Sequence, residues 1–546
     1  MRFFVVCPRG LEGPLHEELA HIVDAYQQYE SLQKLGLPDD QIDALVQNFK
    51  AVVLSPVPTK ATGGIEIVGP LALAMAINLN SRIASRVLTQ LAMAPYKKED
   101  DVYKAVRGLA WEDWFSPEQT LRVDLTSHRS TLTSLNFVTL RIKDAICDRL
   151  REVRGERPSI DTATPDVRVS AYLNETHVSV YIDTSGEALF KRGWRDEKGA
   201  APLKENLAAG ILALTGWTAE QALFDPMCGS GTFLIEAAQI ALKIPPGAIR
   251  AGLLDSQLSI EEVEPQSQHI EPQENNQAEQ APIPPVKPVW QAPIAVDTGK
   301  PIETGLSKAP ALTIRKPLAV PAVDAKRKIS TYKPTRVDLV TSLQGFGFNR
   351  LKPFSQNKEQ KIWTSICHHA KLVMQAHATQ ELKIAGSDIN EQMVAICRSN
   401  WKKARLPGLP IIRQVDALAA NPPSFKEPIS GGVMLFNPPY GERLEIKGGR
   451  GDLGEKIGRS ARDPLPKNIS DPEFVEFLAQ FGRHLKNKFG GWQVDVLTAD
   501  MGLPGQLRMK ESKRTPLFNG AIECRLFRFD IRAMVENSKL NEINHG

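Results

Sequence analysis

The sequence has few of the features that mark secreted, metal-stapled or membrane-spanning proteins. Its six cysteines lie far apart and none forms a Cys-x-x-Cys pair, which argues against a zinc ribbon and a disulfide scaffold. No stretch reaches the roughly 18–20 apolar residues that a membrane span requires. The opening apolar run, Phe3–Cys7, is too short for a signal peptide. We therefore expect a cytoplasmic protein with neither a metal centre nor a membrane partner.

An excess of charge of one sign is also missing. The formal net charge is only +4 over 546 residues, which permits an RNA partner without demanding one, because charge placement matters more than the sum. The chain is too long for one ordinary domain, so we expect about two to four. An apolar content of 42% is sufficient to build their cores.

The first 185 residues predict an α+β region. Alternation predicts a strand at Thr62–Val68, and apolar spacing predicts a long helix from Leu71 to Leu91. The next elements are predicted as strand, basic helix, strand and strand, at Leu121–Leu125, Phe137–Val153, Val167–Leu173 and His177–Asp183. Arginines and lysines recur along the helix, and we expect them to contact RNA phosphates without reading base sequence.

Helices and strands alternate after Lys191, which is typical of a parallel sheet covered by helices. The alternation stops in a polar, proline-rich tract at 252–340, which cannot bury enough apolar surface to offset its ordering entropy. We predict a disordered insertion there rather than a separate folded domain. The strands on its two sides should therefore belong to one sheet. These strands are predicted at Ala222–Asp225, Leu382–Asp388, Ile411–Asp416, Gly432–Phe436, Trp492–Thr498 and Ala521–Phe529.

The strongest local motif is Phe-Asp-Pro-Met-Cys-Gly-Ser-Gly-Thr-Phe at residues 224–233. A buried strand ends at Asp225, a tight loop carries Gly229 and Gly231, and a helix follows. The glycines let the backbone approach a ligand closely, and the helix start offers free N–H groups. No Gly-Lys-Ser/Thr follows, so the loop is not a phosphate-binding P-loop, and the full Gly-x-Gly-x-x-Gly of dinucleotide enzymes is absent.

Carboxylates end the next two predicted strands. Asp388 is placed to accept hydrogen bonds from both ribose hydroxyls of a nucleoside, as the acid of dinucleotide-binding folds does. Asp416 is placed to accept from an adenine amino group. Either residue alone is more often a helix cap. In series, one carboxylate per strand end, they indicate a nucleoside cofactor.

The fourth motif, Asn437-Pro438-Pro439-Tyr440, follows another predicted strand. An aryl amine is a poor nucleophile because its lone pair is delocalised into the ring. The Asn437 amide oxygen and the Pro438 carbonyl can both accept from such an amine and so favour a localised lone pair. Two prolines stiffen the turn, and Tyr440 offers a face on which a flipped base can stack. We expect no dedicated catalytic base, because the main task of the turn is to align the amine with the group that it attacks.

These motifs resemble the THUMP-domain class I RNA methyltransferases, and among them the amino-terminal enzyme portion of bacterial 23S rRNA guanine-N2 methyltransferases. The opening Arg-Gly-Leu-Glu at 9–12, Lys-Arg-Gly-Trp-Arg at 191–195 and Ala-Pro-Leu-Lys-Glu-Asn at 201–206 add to the resemblance. It implies an α/β Rossmann-like methyltransferase domain preceded by an α+β ferredoxin-like and THUMP region. The implied ranges are a ferredoxin-like segment at 1–59, a THUMP RNA-binding domain at 60–185, and a methyltransferase domain at 186–251 and 341–535.

The resemblance also implies roles for individual residues. S-adenosyl-L-methionine is expected to bind at Asp225, Gly229, Gly231, Asp388 and Asp416, with Asn206 bordering the cofactor pocket. Residues 437–440 are expected to hold the target guanine. The implied reaction is methylation of the exocyclic N2 amine of a guanine, with 23S rRNA or a large-subunit precursor as partner.

Three rival functions remain open from the sequence. A tRNA guanine-N2 methyltransferase is possible because THUMP modules also serve tRNA enzymes. A DNA adenine-N6 methyltransferase could use the same Asn-Pro-Pro-Tyr motif, although the RNA-binding region argues against DNA. A non-catalytic RNA-binding ribosome assembly factor would have no use for an intact Asn-Pro-Pro-Tyr turn.

Overall fold

The computed structural model describes residues 1–58, 62–195, 203–254, 345–408, 410–438 and 472–532. Two seven-stranded sheets organise these residues. Sheet 1 is built from the first 183 residues and sheet 2 from residues 222–530. The predicted insertion at 252–340 lies, beyond Leu254, outside the described residues.

Sheet 1 runs in the order β2-β3-β1-β4-β7-β6-β5. Its strands are β1 (Arg2–Val6), β2 (Val53–Leu54), β3 (Gly64–Val68), β4 (Arg86–Pro95), β5 (Leu121–Ser127), β6 (Val167–Leu173) and β7 (His177–Asp183). Its helices are α1 (Glu12–Ala25), α2 (Tyr29–Lys34), α3 (Asp39–Phe49), α4 (Leu71–Asn80), α5 (Glu99–Arg107) and α6 (Leu135–Arg154). Alternate strand residues such as Phe3, Val5 and Val180 are fully buried in the hydrophobic core, so the sheet has one apolar face.

The single long helix predicted from Leu71 to Leu91 is wrong. Helix α4 ends at Asn80, and β4 begins at Arg86 and pairs with both β1 and β7. The helix is apolar on every side because it is wholly buried, and the central strand that follows is apolar too. Hydrophobic spacing therefore gave no sign of the change from one to the other.

The predicted boundary between residues 59 and 60 does not coincide with a break in sheet 1. Strand β3 pairs with β1 along its whole length, from Arg2–Val68 to Val6–Gly64, and β4 pairs with β1 on the other side. A hydrogen-bonded ladder therefore joins the segment before residue 59 to the region after it.

Sheet 2 runs in the order β10-β9-β8-β11-β12-β14-β13. Its strands are β8 (Ala222–Asp225), β9 (Ile384–Asp388), β10 (Ile411–Gln414), β11 (Gly432–Phe436), β12 (Gln493–Thr498), β13 (Lys513–Asn519) and β14 (Ile522–Asp530). The helices of this part of the chain are α7 (Glu205–Thr215), α8 (Thr232–Ala241), α9 (Asn357–Ala376), α10 (Glu391–Lys403), α11 (Pro472–Lys488) and α12 (Leu503–Gln506). Of these, α9 packs against α3 and α4 of the sheet 1 region. Strand β13, which the sequence did not predict, forms a hairpin with β14 around Gly520, whose φ is +67°.

The strands before and after the proline-rich tract share this sheet, as predicted. Strand β8 pairs in parallel with β9 on one side and with β11 on the other. The chain moves outward from β8 through β9 and β10 and then returns to β11, so the strand order reverses beside β8. Ligands of doubly wound sheets bind beyond the carboxyl ends of the strands at such a switch point. The candidate residues lie at this edge.

Candidate cofactor and substrate site

The loop after β8 is locked against β9. The Cys228 N–H donates to the Ser387 carbonyl at 2.9 Å, and the Gly229 N–H donates to Asp388 Oδ2 at 2.9 Å. Gly231 has a φ of +83°, and a Cβ there would lie 2.3 Å from Cys397 Sγ on α10. Glycine is therefore required at this position both by the backbone conformation and by the close approach of the neighbouring helix.

Asp225 is the buried acid of the site. Its side chain is only 2% exposed, and Oδ1 accepts from the Met227 N–H at 3.0 Å. Burial, together with the nearby charge of Asp388, raises the pKa of Asp225 well above its usual range. The raised pKa favours the neutral form of this carboxyl more than that of an exposed one, while Oδ1 holds its own loop.

Asp388 presents spare acceptor capacity at the end of β9. Oδ2 accepts from Gly229, and Oδ1 accepts from the Asn390 N–H at 2.9 Å. Each carboxylate oxygen has a second lone pair that these bonds do not use. The two backbone donors fix the orientation of the carboxylate, which leaves both oxygens able to accept from a pair of hydroxyls.

Two more residues lie at the ends of β9 and β10. Asp416 is exposed, and its Oδ1 accepts from the Leu418 N–H at 2.9 Å. Ile389, directly after Asp388, is 68% exposed, which is unusual for a large apolar side chain. Sequence reasoning missed Ile389, although its apolar character between polar neighbours was visible. The two side chains offer one acceptor and one apolar surface at the same edge.

Asn437 follows β11 on the other side of the switch point. Its amide oxygen is buried, and within the described part of the chain it has no hydrogen-bond partner. A buried acceptor without a partner is costly and rare in native proteins. Pro438 beside it is buried, whereas Pro439 and Tyr440 lie outside the described residues. The unsatisfied oxygen is therefore available to a donor that enters the site.

Asn206 lies on α7 and faces the sheet 1 region. Its Nδ2 donates to Ser85 Oγ at 2.9 Å and to the Ile83 carbonyl at 3.3 Å, and its Oδ1 lacks a partner among the residues described. The amide therefore joins α7 to the N-terminal region. Its predicted role at the cofactor remains a prediction.

Arg195 is a second residue that sequence reasoning did not assign to the site. Its guanidinium donates to Thr232 Oγ1 at 2.7 Å and to Ser230 Oγ at 3.4 Å, on both sides of Gly231. It also pairs with Glu205 at 2.9 Å, and both side chains are 8% exposed. The Lys-Arg-Gly-Trp-Arg stretch was noticed only as a family resemblance. Its spatial partner in the glycine loop is set by the tertiary fold.

The basic helix α6 pairs several of its cations with acids of the same region. Arg141 lies 3.3 Å from Asp100, and Arg149 is paired with Glu112. Arg151 also lies 3.1 Å from Asp148, one turn earlier. Contact between α6 and RNA phosphates therefore remains a prediction, and these ion pairs weaken it.

Membrane-spanning helices and metal-binding clusters are both absent from the described ranges. None of the helices there is both long and apolar enough to cross a membrane. The same ranges hold no group of three or more His, Cys, Asp and Glu side chains arranged to bind a metal ion.

Comparison with known families gives two matches along the chain. Residues 192–283 and 347–470 match the RMKL-like methyltransferase domain, and residues 96–183 match the THUMP domain. The gap between its two parts, residues 284–346, overlaps most of the predicted insertion at 252–340. The chain therefore combines a THUMP domain with an RMKL-like methyltransferase domain, and the recognised resemblance is confirmed.

Curated relatives align over most of the chain at modest identity. The ribosomal RNA large subunit methyltransferases K/L of Shewanella pealeana and Cellvibrio japonicus are 26% and 28% identical over 99% and 98% of this chain. The chain spans about half of their length, 54% and 52% respectively. A Synechocystis protein named "Putative RNA methyltransferase slr0064" is 26% identical and aligns over 86% of this chain and 88% of its own.

Solved structures share the fold. SMU.472, crystallised as a complex with SAH, has a TM-score of 0.60 at 19% identity and covers 98% of this chain and 99% of its own. A Listeria monocytogenes protein, described as a predicted N6-adenine-specific DNA methylase, has a TM-score of 0.61 at 20% identity and covers 97% and 96%. Likeness at this identity supports the Rossmann-like methyltransferase fold and no particular substrate.

Proposed function

We propose that this THUMP-domain methyltransferase uses S-adenosyl-L-methionine to methylate the exocyclic N2 amine of a guanine in 23S rRNA. The cofactor would lie at the carboxyl edge of sheet 2, against Asp225, Gly229, Gly231, Asp388 and Asp416. The target base would lie against Asn437, across the switch point. When bound, S-adenosyl-L-methionine supplies an electrophilic methyl group.

The residues at the sheet edge fit a nucleoside ligand. Asp388 holds two oriented oxygens with free lone pairs for ribose hydroxyls, and Asp416 offers an exposed carboxylate for an amino group. Ile389, directly after Asp388, is exposed and would give an aromatic base an apolar face. The relative SMU.472, which shares this fold, was crystallised with SAH. These observations support S-adenosyl-L-methionine as the cofactor.

The buried, unpartnered amide oxygen of Asn437 is the observation that carries the proposed chemistry. An exocyclic amine has two N–H donors, and one of them would satisfy this oxygen. A hydrogen bond from the amine to this oxygen favours a lone pair that is localised on nitrogen and not delocalised into the ring. Asn437 therefore orients the amine, and no proton has to leave before transfer. Pro439 and Tyr440 keep their predicted roles as a stiff turn and a stacking ring.

The THUMP domain and the names of the relatives support RNA as the substrate. Two of those relatives are named for the large ribosomal subunit. Because this chain spans about half of their length, the rRNA target and the guanine N2 position are our proposal for it.

A transfer assay with nucleoside analysis tests the proposal. The purified full chain is incubated with tritiated S-adenosyl-L-methionine and, separately, with 23S rRNA from cells lacking this protein, bulk tRNA and duplex DNA. We expect label in N2-methylguanosine from 23S rRNA. Label confined to tRNA would replace 23S rRNA by tRNA as the substrate. Label in N6-methyladenosine from DNA would refute both the proposed guanine target and the proposed RNA substrate.

A binding measurement separates the parts of the proposal. Calorimetric titration with SAH reports on the cofactor site without any RNA. Binding of SAH together with no transfer to any of the three nucleic acids would support an RNA-binding assembly factor instead of an enzyme. Absence of SAH binding would remove the cofactor assignment itself.

A further inference from the structure

We propose that the second face of sheet 1 binds a single-stranded segment of RNA by stacking bases on Phe4, Tyr181 and Tyr172. This inference rests on the proposed RNA substrate but involves a surface separate from the cofactor edge. The face is defined by these three rings and the polar residues between them. None of the three rings belongs to a hydrophobic core cluster of the described chain.

Strand register places the three rings on one face. Tyr181 pairs with Gln90 on β4 and with Ser170 on β6, and Tyr172 pairs with Ser179 on β7. Side chains of paired residues point to the same side of a sheet, and alternate residues of a strand do too. Tyr172 and Tyr181 are therefore diagonal neighbours across β6 and β7.

Phe4 extends the row of rings onto β1. Its ring centroid lies 6.4 Å from that of Tyr181, with the planes tilted by 45°. A Cβ at Gly64 would lie 2.6 Å from Phe4 Cζ, so the absence of a side chain on β3 lets the ring extend across that strand. Phe4 and Tyr181 are half-buried and Tyr172 is 37% exposed, so the rings present a partly exposed surface along the sheet and stay outside the core.

The ring spacing suits splayed bases. Tyr172 and Tyr181 are diagonal neighbours of an antiparallel pair, for which a spacing of roughly 7–8 Å is usual, and the Phe4 and Tyr181 rings reach to 6.4 Å of each other across β4. RNA-recognition domains built on a four-stranded sheet stack two or three bases on sheet aromatics. A duplex keeps its bases stacked on one another, so only a single strand can use such rings.

Polar groups between the rings argue against a protein partner. Gln90, Ser170 and Ser179 lie on this face together with Met93, which pairs with Ser179 and is 59% exposed, so polar groups alternate with apolar ones. The centre of a stable protein interface is more apolar than this. Serine and glutamine side chains, by contrast, suit the sugar hydroxyls and base edges of a nucleic acid.

The charge at the β5–β6 side of the face is positive. Arg122 and Arg168 share the carboxylate of Asp124, at 2.7 and 3.3 Å. Arg168 also lies 3.7 Å from Glu187, which is paired with Lys191 as well. Three cations thus share two carboxylates, which leaves positive charge for a phosphate beside the bases.

Fluorescence anisotropy of the full chain with a labelled oligoadenylate of about 12 nucleotides tests the platform. Tyr172→Ala and Tyr181→Ala should each weaken binding by about 5- to 150-fold, the value of one base–aromatic stack. Tyr172→Phe keeps the ring and should bind as the wild type does. Tyr29→Ala is the matched control, because Tyr29 is a similarly exposed tyrosine (39%, against 37% for Tyr172) on α2.

Two further readouts distinguish stacking from charge. The slope of log affinity against log salt should be unchanged in Tyr172→Ala, because a lost stack releases no counterions. A duplex of the same length should bind wild type and variant equally. Wild-type affinity for oligoadenylate in both alanine variants would overturn the proposal. It would also be overturned if the variants lost as much affinity for the duplex as for the single strand.

Controls keep the result interpretable. If Tyr181→Ala lowers the melting temperature, the exposed Tyr172 decides the question. SAH affinity, measured on the same variants, should match the wild type. Failure of SAH binding or methyl transfer in the wild-type chain would count against the proposed function, whereas normal transfer with unchanged oligoadenylate affinity in the variants would count against this face alone.

Discussion

The guanidinium of Arg192 lies 3.1 Å from the carboxylate of Glu236, and the two side chains are 1% and 0% exposed. Glu236 is on α8, one turn after Thr232, which Arg195 contacts. Arg82 from the sheet 1 region lies 3.9 Å from the same carboxylate. Two arginines thus share one buried acid on the helix that begins at the glycine loop.

Glu236→Gln should destabilise the protein by about 3–5 kcal/mol, because it removes the buried carboxylate that Arg192 and Arg82 share. Chemical denaturation monitored by circular dichroism measures the change. Glu427→Gln is the control, since Glu427 pairs with Lys383 at 2.8 Å while its side chain is 70% exposed. Screening by water should leave that variant unchanged. Equal effects in the two variants would contradict the assigned importance of the buried pair.

Local pattern was sufficient to predict many strands of both sheets. Strands β6 and β7 match their predicted ranges residue for residue, and Asp225 and Asp388 end their strands as expected. Strict alternation and strand-end acids are local properties, so a single sequence contains them.

Other features depend on partners distant in sequence. The change from α4 to β4 lies within a continuously apolar stretch, where burial on all sides removes the periodicity. The contact of Arg195 with Ser230 and Thr232, and that of Arg192 with Glu236, join residues about 35–45 positions apart. No local rule pairs such residues, so sequence reasoning missed them.

Asp388→Ala should weaken SAH binding by at least about 10-fold. A hydrogen bond to a charged acceptor contributes about 1.5–3 kcal/mol, and the proposal gives Asp388 two of them. Isothermal titration calorimetry measures the affinity. Asp161→Ala is the matched control, because Asp161 also accepts two backbone N–H groups but lies in a turn of the sheet 1 region. Unchanged SAH affinity in Asp388→Ala would exclude this carboxylate as a cofactor ligand.

Arg195→Ala should raise the KM for S-adenosyl-L-methionine and weaken SAH binding by about 10- to 100-fold, because the loop around Gly231 loses its fixed hydroxyls. Arg195→Lys keeps the charge but not the fork of donors, so we expect partial recovery. Arg149→Ala breaks an ion pair with Glu112 in the sheet 1 region and should leave SAH affinity unchanged. A loss of stability in Arg195→Ala with normal SAH affinity would assign it a structural role only.

Asp225→Asn should stabilise the protein increasingly as pH rises. Burial raises the folded-state pKa of Asp225, so the folded protein keeps a proton that the unfolded chain loses. The contribution of the Asp225 carboxyl to wild-type stability is fully present below the unfolded pKa of about 4 and is lost as pH rises toward the folded pKa. Thermal melts at about pH 5 and about pH 8 should show a larger advantage for Asp225→Asn at the higher pH.

Asp161→Asn should change stability with pH in the opposite direction to Asp225→Asn. Backbone hydrogen bonds from Thr164 and Ala163 lower the pKa of Asp161. Its stabilising effect is present above the unfolded carboxyl pKa and is lost as pH falls through the lower folded value. Asp161→Asn should therefore be the less stable form at about pH 8. The same pH trend in both variants would show that the Asp225 effect does not come from its own titration.

Asn437→Ala should lower kcat by at least about 100-fold, because it removes the only described side-chain acceptor proposed to orient the amine. SAH affinity and RNA affinity should remain close to wild type, since neither ligand needs this oxygen for its own binding. Single-turnover methyl transfer at saturating cofactor separates the chemical step from binding. Asn437→Asp tests the role of the amide: it keeps an acceptor but adds a charge, and we expect it to retain more activity than alanine. A normal kcat in Asn437→Ala would show that the buried oxygen does not take part in transfer and would leave the proposed chemistry without its main support.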